Sequence, residues 1–175
     1  LDWDRKQQIV STLDRVNLQR SDMNLSGVGA KGQTGLKQVA LGKDVRLDIL
    51  PRDKLKSQKE KILITCDGPL EVDYEKNIAI FYNNVKVEKS DLTIYSDKME
   101  VYFIPRSEDS KKDQGSAVIS SSINKIVSIG NVRILRGENT SYSQEAVYTA
   151  WNKRIVLTGR PQILIYQTEN SLSLK

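Results

Sequence analysis

Histidine is absent from all 175 residues. That absence removes the usual general base, the imidazole of a nucleophilic triad and the commonest metal ligand together. Cysteine occurs once, as Cys66, so the chain can build neither an internal disulfide nor a thiolate metal site, and the redox compartment stays open. Within Ile62-Leu63-Ile64-Thr65-Cys66 the thiol reads as a small buried filler. Aromatic side chains are few, with two Phe and two Trp, and no cluster of them accompanies the cations as it would in an RNA-binding sheet. No run approaches the roughly 20 apolar residues of a membrane span. The start, Leu1-Asp2-Trp3-Asp4, carries neither Met nor a signal-peptide pattern, as expected of a mature or trimmed chain. Catalytic residues, metal ligands and cofactors are not expected.

What the chain does contain is β grammar. At 38% apolar and 28% charged it can bury one continuous core. From Lys43 onward short alternating runs dominate, such as Val45-Arg46-Leu47-Asp48-Ile49 and Leu70-Glu71-Val72-Asp73-Tyr74. Glu75-Lys76-Asn77 and Trp151-Asn152-Lys153 read as hairpin tips. The expectation is an all-β, antiparallel fold of about fourteen to sixteen short strands. Residues 51–61 and 105–122 are polar and charged and read as exposed loops. Residues 4–18 leave two readings open, because Ile9, Leu13 and Val16 have helical spacing while Val16-Asn17-Leu18-Gln19 alternates.

The net charge is +5, from 27 Lys and Arg against 22 Asp and Glu, and it permits an anionic partner. Cations such as Lys86, Lys89, Arg133 and Arg136 are placed singly at strand positions and read as a solvated outer face, so no nucleic-acid partner is expected.

One unit is written twice. Residues Asn84 to Ser96 return as Asn131 to Ser143, an offset of 47 without a gap (131 − 84). Five pairs are identical, at Asn84, Val85, Thr93, Tyr95 and Ser96, and Lys86/Arg133, Val87/Ile134, Lys89/Arg136 and Asp91/Glu138 are conservative. A weaker echo aligns Ala79-Ile80-Phe81-Tyr82-Asn83 with Ile155-Val156-Leu157-Thr158-Gly159. Asn83-Asn84, Gly130-Asn131 and Gly159-Arg160 punctuate these units with residues that tolerate positive φ, so each unit reads as strand, corner, strand.

Period-two parity then names an inner face. With Val85 and Val87 inward, Ala79 and Phe81 fall on the same side, as do Ile126, Val132 and Ile134, then Ile155, Leu157 and Ile163. Such an aliphatic face fits either a packed core or a groove that receives flexible acyl chains. The run Gln162-Ile163-Leu164-Ile165-Tyr166 is uncharged and β-rich, and reads as an edge strand available to a partner.

A family resemblance joins these elements. The runs Ile64-Thr65-Cys66-Asp67-Gly68-Pro69-Leu70-Glu71-Val72-Asp73-Tyr74, Ala79 to Val87 and Leu92-Thr93-Ile94-Tyr95-Ser96-Asp97-Lys98-Met99 resemble the OstA-like domain of the lipopolysaccharide transport proteins LptA and LptC. Lys125 to Ile134, Ala146-Val147-Tyr148 and Ile155-Val156-Leu157-Thr158-Gly159-Arg160-Pro161 continue the family's order. Residues 1–50 resemble the closing strands of an LptC-type unit and residues 51–175 the OstA-like β-jellyroll, the two being continuous as one domain. The resemblance implies a periplasmic, non-enzymatic protein, held at the inner membrane in an LptC-type full-length chain. Its open two-sheet jellyroll would shield lipid A acyl chains of lipopolysaccharide on their way to the outer membrane. It would stack edge to edge on other Lpt jellyrolls, or on itself, by β-augmentation. The rival is a filled-core β-scaffold or carbohydrate-binding protein of the cell envelope.

Overall fold

Alternation at period two becomes strand wherever one face can be buried. The computed structural model describes residues 2–4, 6, 8–19, 23–33, 35, 37–49, 61–104 and 123–165. Its strands are β1 (Asp2–Asp4), β2 (Ile9–Gln19), β3 (Met23–Gln33), β4 (Gln38–Ile49), β5 (Ile62–Cys66) and β6 (Leu70–Asp73). They continue as β7 (Ile78–Lys89), β8 (Leu92–Phe103), β9 (Ile123–Arg136), β10 (Asn139–Thr149), β11 (Arg154–Thr158) and β12 (Gln162–Leu164). Every pairing is antiparallel, in the order β1-β2-β3-β4-β5-β7-β8-β9-β10-β11, with β6 between β4 and β7 and β12 on β10.

This single hydrogen-bonded sheet is folded into two layers, because the long strands bend and their halves take different neighbours. In β4, residues 38–41 pair with β6 and residues 45–49 with β5. In β7, residues 78–81 pair with β6 and residues 86–89 with β5. In β10, residues 140–142 pair with β12 and residues 145–149 with β11. The bends coincide with register shifts between Tyr82 and Val85, Tyr95 and Lys98, and Ser143 and Glu145. An extra residue in one strand bends it and sharpens its twist without ending it. That is how a single strand runs on through a corner, and the described residues form twelve strands, several of them eleven to fourteen residues long. The corners fall at the expected residues, with positive φ at Asn83 and Asn84 (63° and 53°), Gly130 and Asn131 (77° and 46°), and Gly159 and Arg160 (76° and 60°).

The written repeat is a pair of adjacent hairpins. Residues 85–89 and 92–96 form the first, residues 132–136 and 139–143 the second, and β8 pairs with β9 to join them. Both turn through a positive φ at equivalent positions, Ser90 and Gly137.

The open question over residues 4–18 is answered as strand. β2 pairs with β3 along its length, with a shift between Thr12 and Arg15 that explains the mixed spacing. Residues 51–60 and 105–122 lie outside the described residues. Between the layers one core cluster joins Met23, Leu41, Val45 and Leu47 of the N-terminal strands to Ile64, Leu70, Phe81, Val85, Met99 and Val101. A smaller one gathers Val132, Ile134 and Ala146.

Candidate functional site

The ten residues assigned to an inner face share one face by register, but they differ in what covers them. Ala79, Phe81, Val85 and Val87 lie in the main core cluster, and Phe81 is wholly buried. Val132 and Ile134 lie in the second cluster. Ile126 packs against the first cluster and Leu157 against the second, each partly buried. Ile155 stands opposite Tyr148, itself opposite Ile126, yet is 42% exposed. Ile163 stands opposite Ser141, itself opposite Ile134, and is 60% exposed. The apolar interior is therefore filled in the middle of the molecule and runs out uncovered at the β11 and β12 end.

Two polar positions mark the interior that parity did not single out. Ser96 and Ser143 are equivalent in the repeat, both are buried, and their hydroxyls have no hydrogen-bond partner among the described residues. Their identity in both copies was the available signal.

The same end carries a free edge. Among the described residues β11 and β12 pair only with β10. Gln162, Ile163 and Leu164 form β12, Ile165 follows it, all four are exposed, and Tyr166 lies outside the described residues. At the opposite end β1 pairs only with β2, and beyond the β1 contact the outer edge of β2 is likewise unpaired among the described residues.

The outer face carries a feature that sequence reading assigned to solvent. Thr65, Lys86, Tyr95, Arg133, Tyr142 and Gln162 stand opposite one another across successive strands. With the corner residues Asn84, Asp97, Asn131, Gln144 and Arg160 they line an open recess of about 1100 Å³. Arg133 lies 4.4 Å from the centroid of the Tyr95 ring, and Lys86 approaches it at 5.8 Å. Lys86 is tied to Glu88 at 2.7 Å, whereas Arg133 and Arg160 meet no carboxylate among the described residues. Alternation alone could not reveal the recess, since only pairing register brings these six positions into one row.

Electrostatics elsewhere are structural. Burial pulls the Asp48 carboxyl upward, but hydrogen bonds from Lys61 and Arg46 prevail and hold it below the usual carboxylate range. The ion pairs are 2.7 Å to Lys61 and 2.9 Å to Arg46. Burial pushes the Cys66 thiol up, away from a reactive thiolate. Among the described residues no group of three Asp, Glu or Cys side chains is placed to hold a metal ion.

Residues 68–173 match the family described as LptA/(LptD N-terminal domain) LPS transport protein. The match spans 106 residues (173 − 68 + 1), more than half of the 175. No curated protein sequence matches the chain. A solved structure, that of LptH, the LptA homologous periplasmic component of the conserved lipopolysaccharide transport device from Pseudomonas aeruginosa, is similar over 95% of this chain and 100% of that one. The identity is 12% and the TM-score 0.52, so the likeness is one of fold.

Proposed function

Because the chain belongs to the LptA and LptD N-terminal-domain family of lipopolysaccharide transport proteins, we propose that it is a periplasmic bridge component that shields the acyl chains of lipopolysaccharide. The observation that carries this reading is the inner face that begins as a filled core at Phe81 and ends uncovered at Ile155 and Ile163. Acyl chains would enter at that end, first against Ile155, Leu157 and Ile163. They would advance by parting the layers over Ile126, Val132 and Ile134 toward Val85, Val87, Ala79 and Phe81. Water-exposed aliphatic side chains gain about 25 cal/mol for each Å² covered, which favours a flexible hydrocarbon at the mouth. No bond is made or broken in such a passage.

The free edge of β12 is proposed to receive a strand from another Lpt jellyroll, or from a second copy, through its unpaired backbone groups. The buried state of Phe81 favours the rival reading of a filled scaffold. Binding of intact lipopolysaccharide, measured beside binding of an apolar fluorescent probe, separates the two. An acyl-shielding protein binds both and releases the probe as lipopolysaccharide is added, whereas a filled scaffold binds neither.

A further inference from the structure

The duplicated hairpins repeat more than their core. Each copy contributes one cation and one tyrosine to the same outer row, Lys86 with Tyr95 and then Arg133 with Tyr142, and both tyrosines are identical between the copies. An outward position whose only task is solubility has no need of a tyrosine, which is 40% exposed at Tyr142. The two hairpins lie side by side, so the row becomes one continuous wall of the recess of about 1100 Å³.

We propose that this recess binds the anionic, phosphorylated sugar portion of a glycolipid. The proposal rests on the acyl-shielding reading above and adds a second contact on the opposite face of the same strands. Tyrosine rings offer flat apolar surfaces to the C–H faces of sugar rings. The amides of Asn84, Asn131 and Gln144 and the carboxylate of Asp97 supply donors and acceptors for hydroxyl groups along the corner. Arg133 lies against Tyr95 and has no carboxylate partner among the described residues, so its guanidinium is free to pair with a phosphate. Arg160 borders the same recess and adds a second cation. At about 1100 Å³ the recess is at the upper end of small-molecule sites, roughly 300–1,000 Å³, and admits a disaccharide-sized ligand.

The test uses the full chain and a fully deacylated lipopolysaccharide oligosaccharide that keeps its phosphates, titrated by calorimetry. Wild type is expected to bind it, and Arg133→Gln and Tyr95→Leu each to weaken binding about tenfold, a loss of one good contact. Arg136→Gln removes the same charge outside the recess, where Arg136 sits 3.6 Å from Asp91, and should leave binding unchanged. The dephosphorylated oligosaccharide should bind about tenfold more weakly, and inorganic phosphate should not displace the intact oligosaccharide. Equal weakening by Arg133→Gln and Arg136→Gln, or displacement by inorganic phosphate alone, would overturn the proposal. So would failure of the oligosaccharide to bind wild type that still binds intact lipopolysaccharide, a result that leaves acyl shielding standing. Failure of both ligands would remove that reading and this one together.

Discussion

The side-chain amide of Asn131 donates to Asp97 Oδ2 across 2.9 Å, at the corner where β9 turns from one layer into the other. The first copy of the unit makes a matching bond, Asn84 to Asp67 Oδ2 at 2.6 Å. Asparagine at these positions thus tolerates the left-handed backbone and ties the bend to the neighbouring strand. Beside it, Gly130 has a φ of 77°, and a Cβ there would run into Asp97.

Gly130→Ala is therefore expected to destabilise by about 2–3 kcal/mol, combining left-handed strain with a clash. Gly137→Ala is the comparison, since its φ is 57° but nothing lies within 4 Å of the added methyl. It should cost only the strain, about 1 kcal/mol. Chemical denaturation of the two variants checks the ordering, and equal losses would mean that Asp97 moves aside freely.

Val132 and Arg133 are neighbours on opposite faces, Val132 almost fully buried and Arg133 exposed. Val132→Asp should prevent folding or cost more than about 4 kcal/mol, as an unpaired charge in a core does. Arg133→Asp should stay within about 1 kcal/mol, the loss being its stacking on Tyr95. Urea melts distinguish these outcomes.

Strand β11 offers a parity test of acyl contact. A photo-reactive residue at Ile155 or Leu157 is expected to capture lipopolysaccharide labelled in its acyl chains. The same residue at Val156, exposed on the other face, should not. Gel analysis after irradiation gives the answer, and equal capture at all three would exclude an inner-face route.

Asp48 links stability to pH. Its folded carboxyl is held below the ordinary value near 3.8 by Lys61 and Arg46, against the pull of burial, so at acid pH the group binds fewer protons in the folded than in the unfolded chain. Its contribution is fully present above about pH 4 and is lost as pH falls through the lower folded value. Asp48→Asn should reduce stability by about 1–2 kcal/mol at neutral pH, modest because Arg46 and Lys61 are half exposed. It should also flatten the acid limb of a thermal-unfolding profile.

Proline at Leu164 or Ile165 should weaken self-association or binding to a bridge partner while the monomer stays folded. An edge strand tolerates a missing donor better than a central one. Sedimentation over a range of concentrations measures this. An unchanged association constant in a folded variant would move the interface to β1 and β2.

Much of this architecture was legible because it rests on local chemistry. The corner pairs Asn83-Asn84, Gly130-Asn131 and Gly159-Arg160 announced positive φ, and all six residues have it. Parity placed Val85, Val87, Val132 and Ile134 correctly because a one-residue slip would expose the whole set. What stayed hidden depends on long-range pairing. No periodicity says that Ile155 and Ile163 are left 42% and 60% exposed, since further cover would come from another part of the chain or from another molecule. The alignment of Lys86, Tyr95, Arg133 and Tyr142 likewise follows from strand register across residues up to 56 apart (142 − 86). Whether a strand ends or runs on at such a corner stayed hidden for a related reason, in that a bulge and a strand end look alike until the hydrogen bonds are drawn.

The sheet never meets itself: among the described residues β1 at one end and β11 at the other have no shared partner. A barrel has a fixed circumference, and inserting a hairpin would force a new shear and a new radius. An unclosed, doubled-over sheet has no such sum rule, so length is a free parameter. Copying one hairpin, as between Asn84 and Ser143, extends it from within, and docking another jellyroll would extend it from outside by the same backbone valence. If another jellyroll docks on that edge as proposed, internal duplication and oligomerisation would be two routes of one extension, and a chain of this kind could trade copies of the unit for subunits.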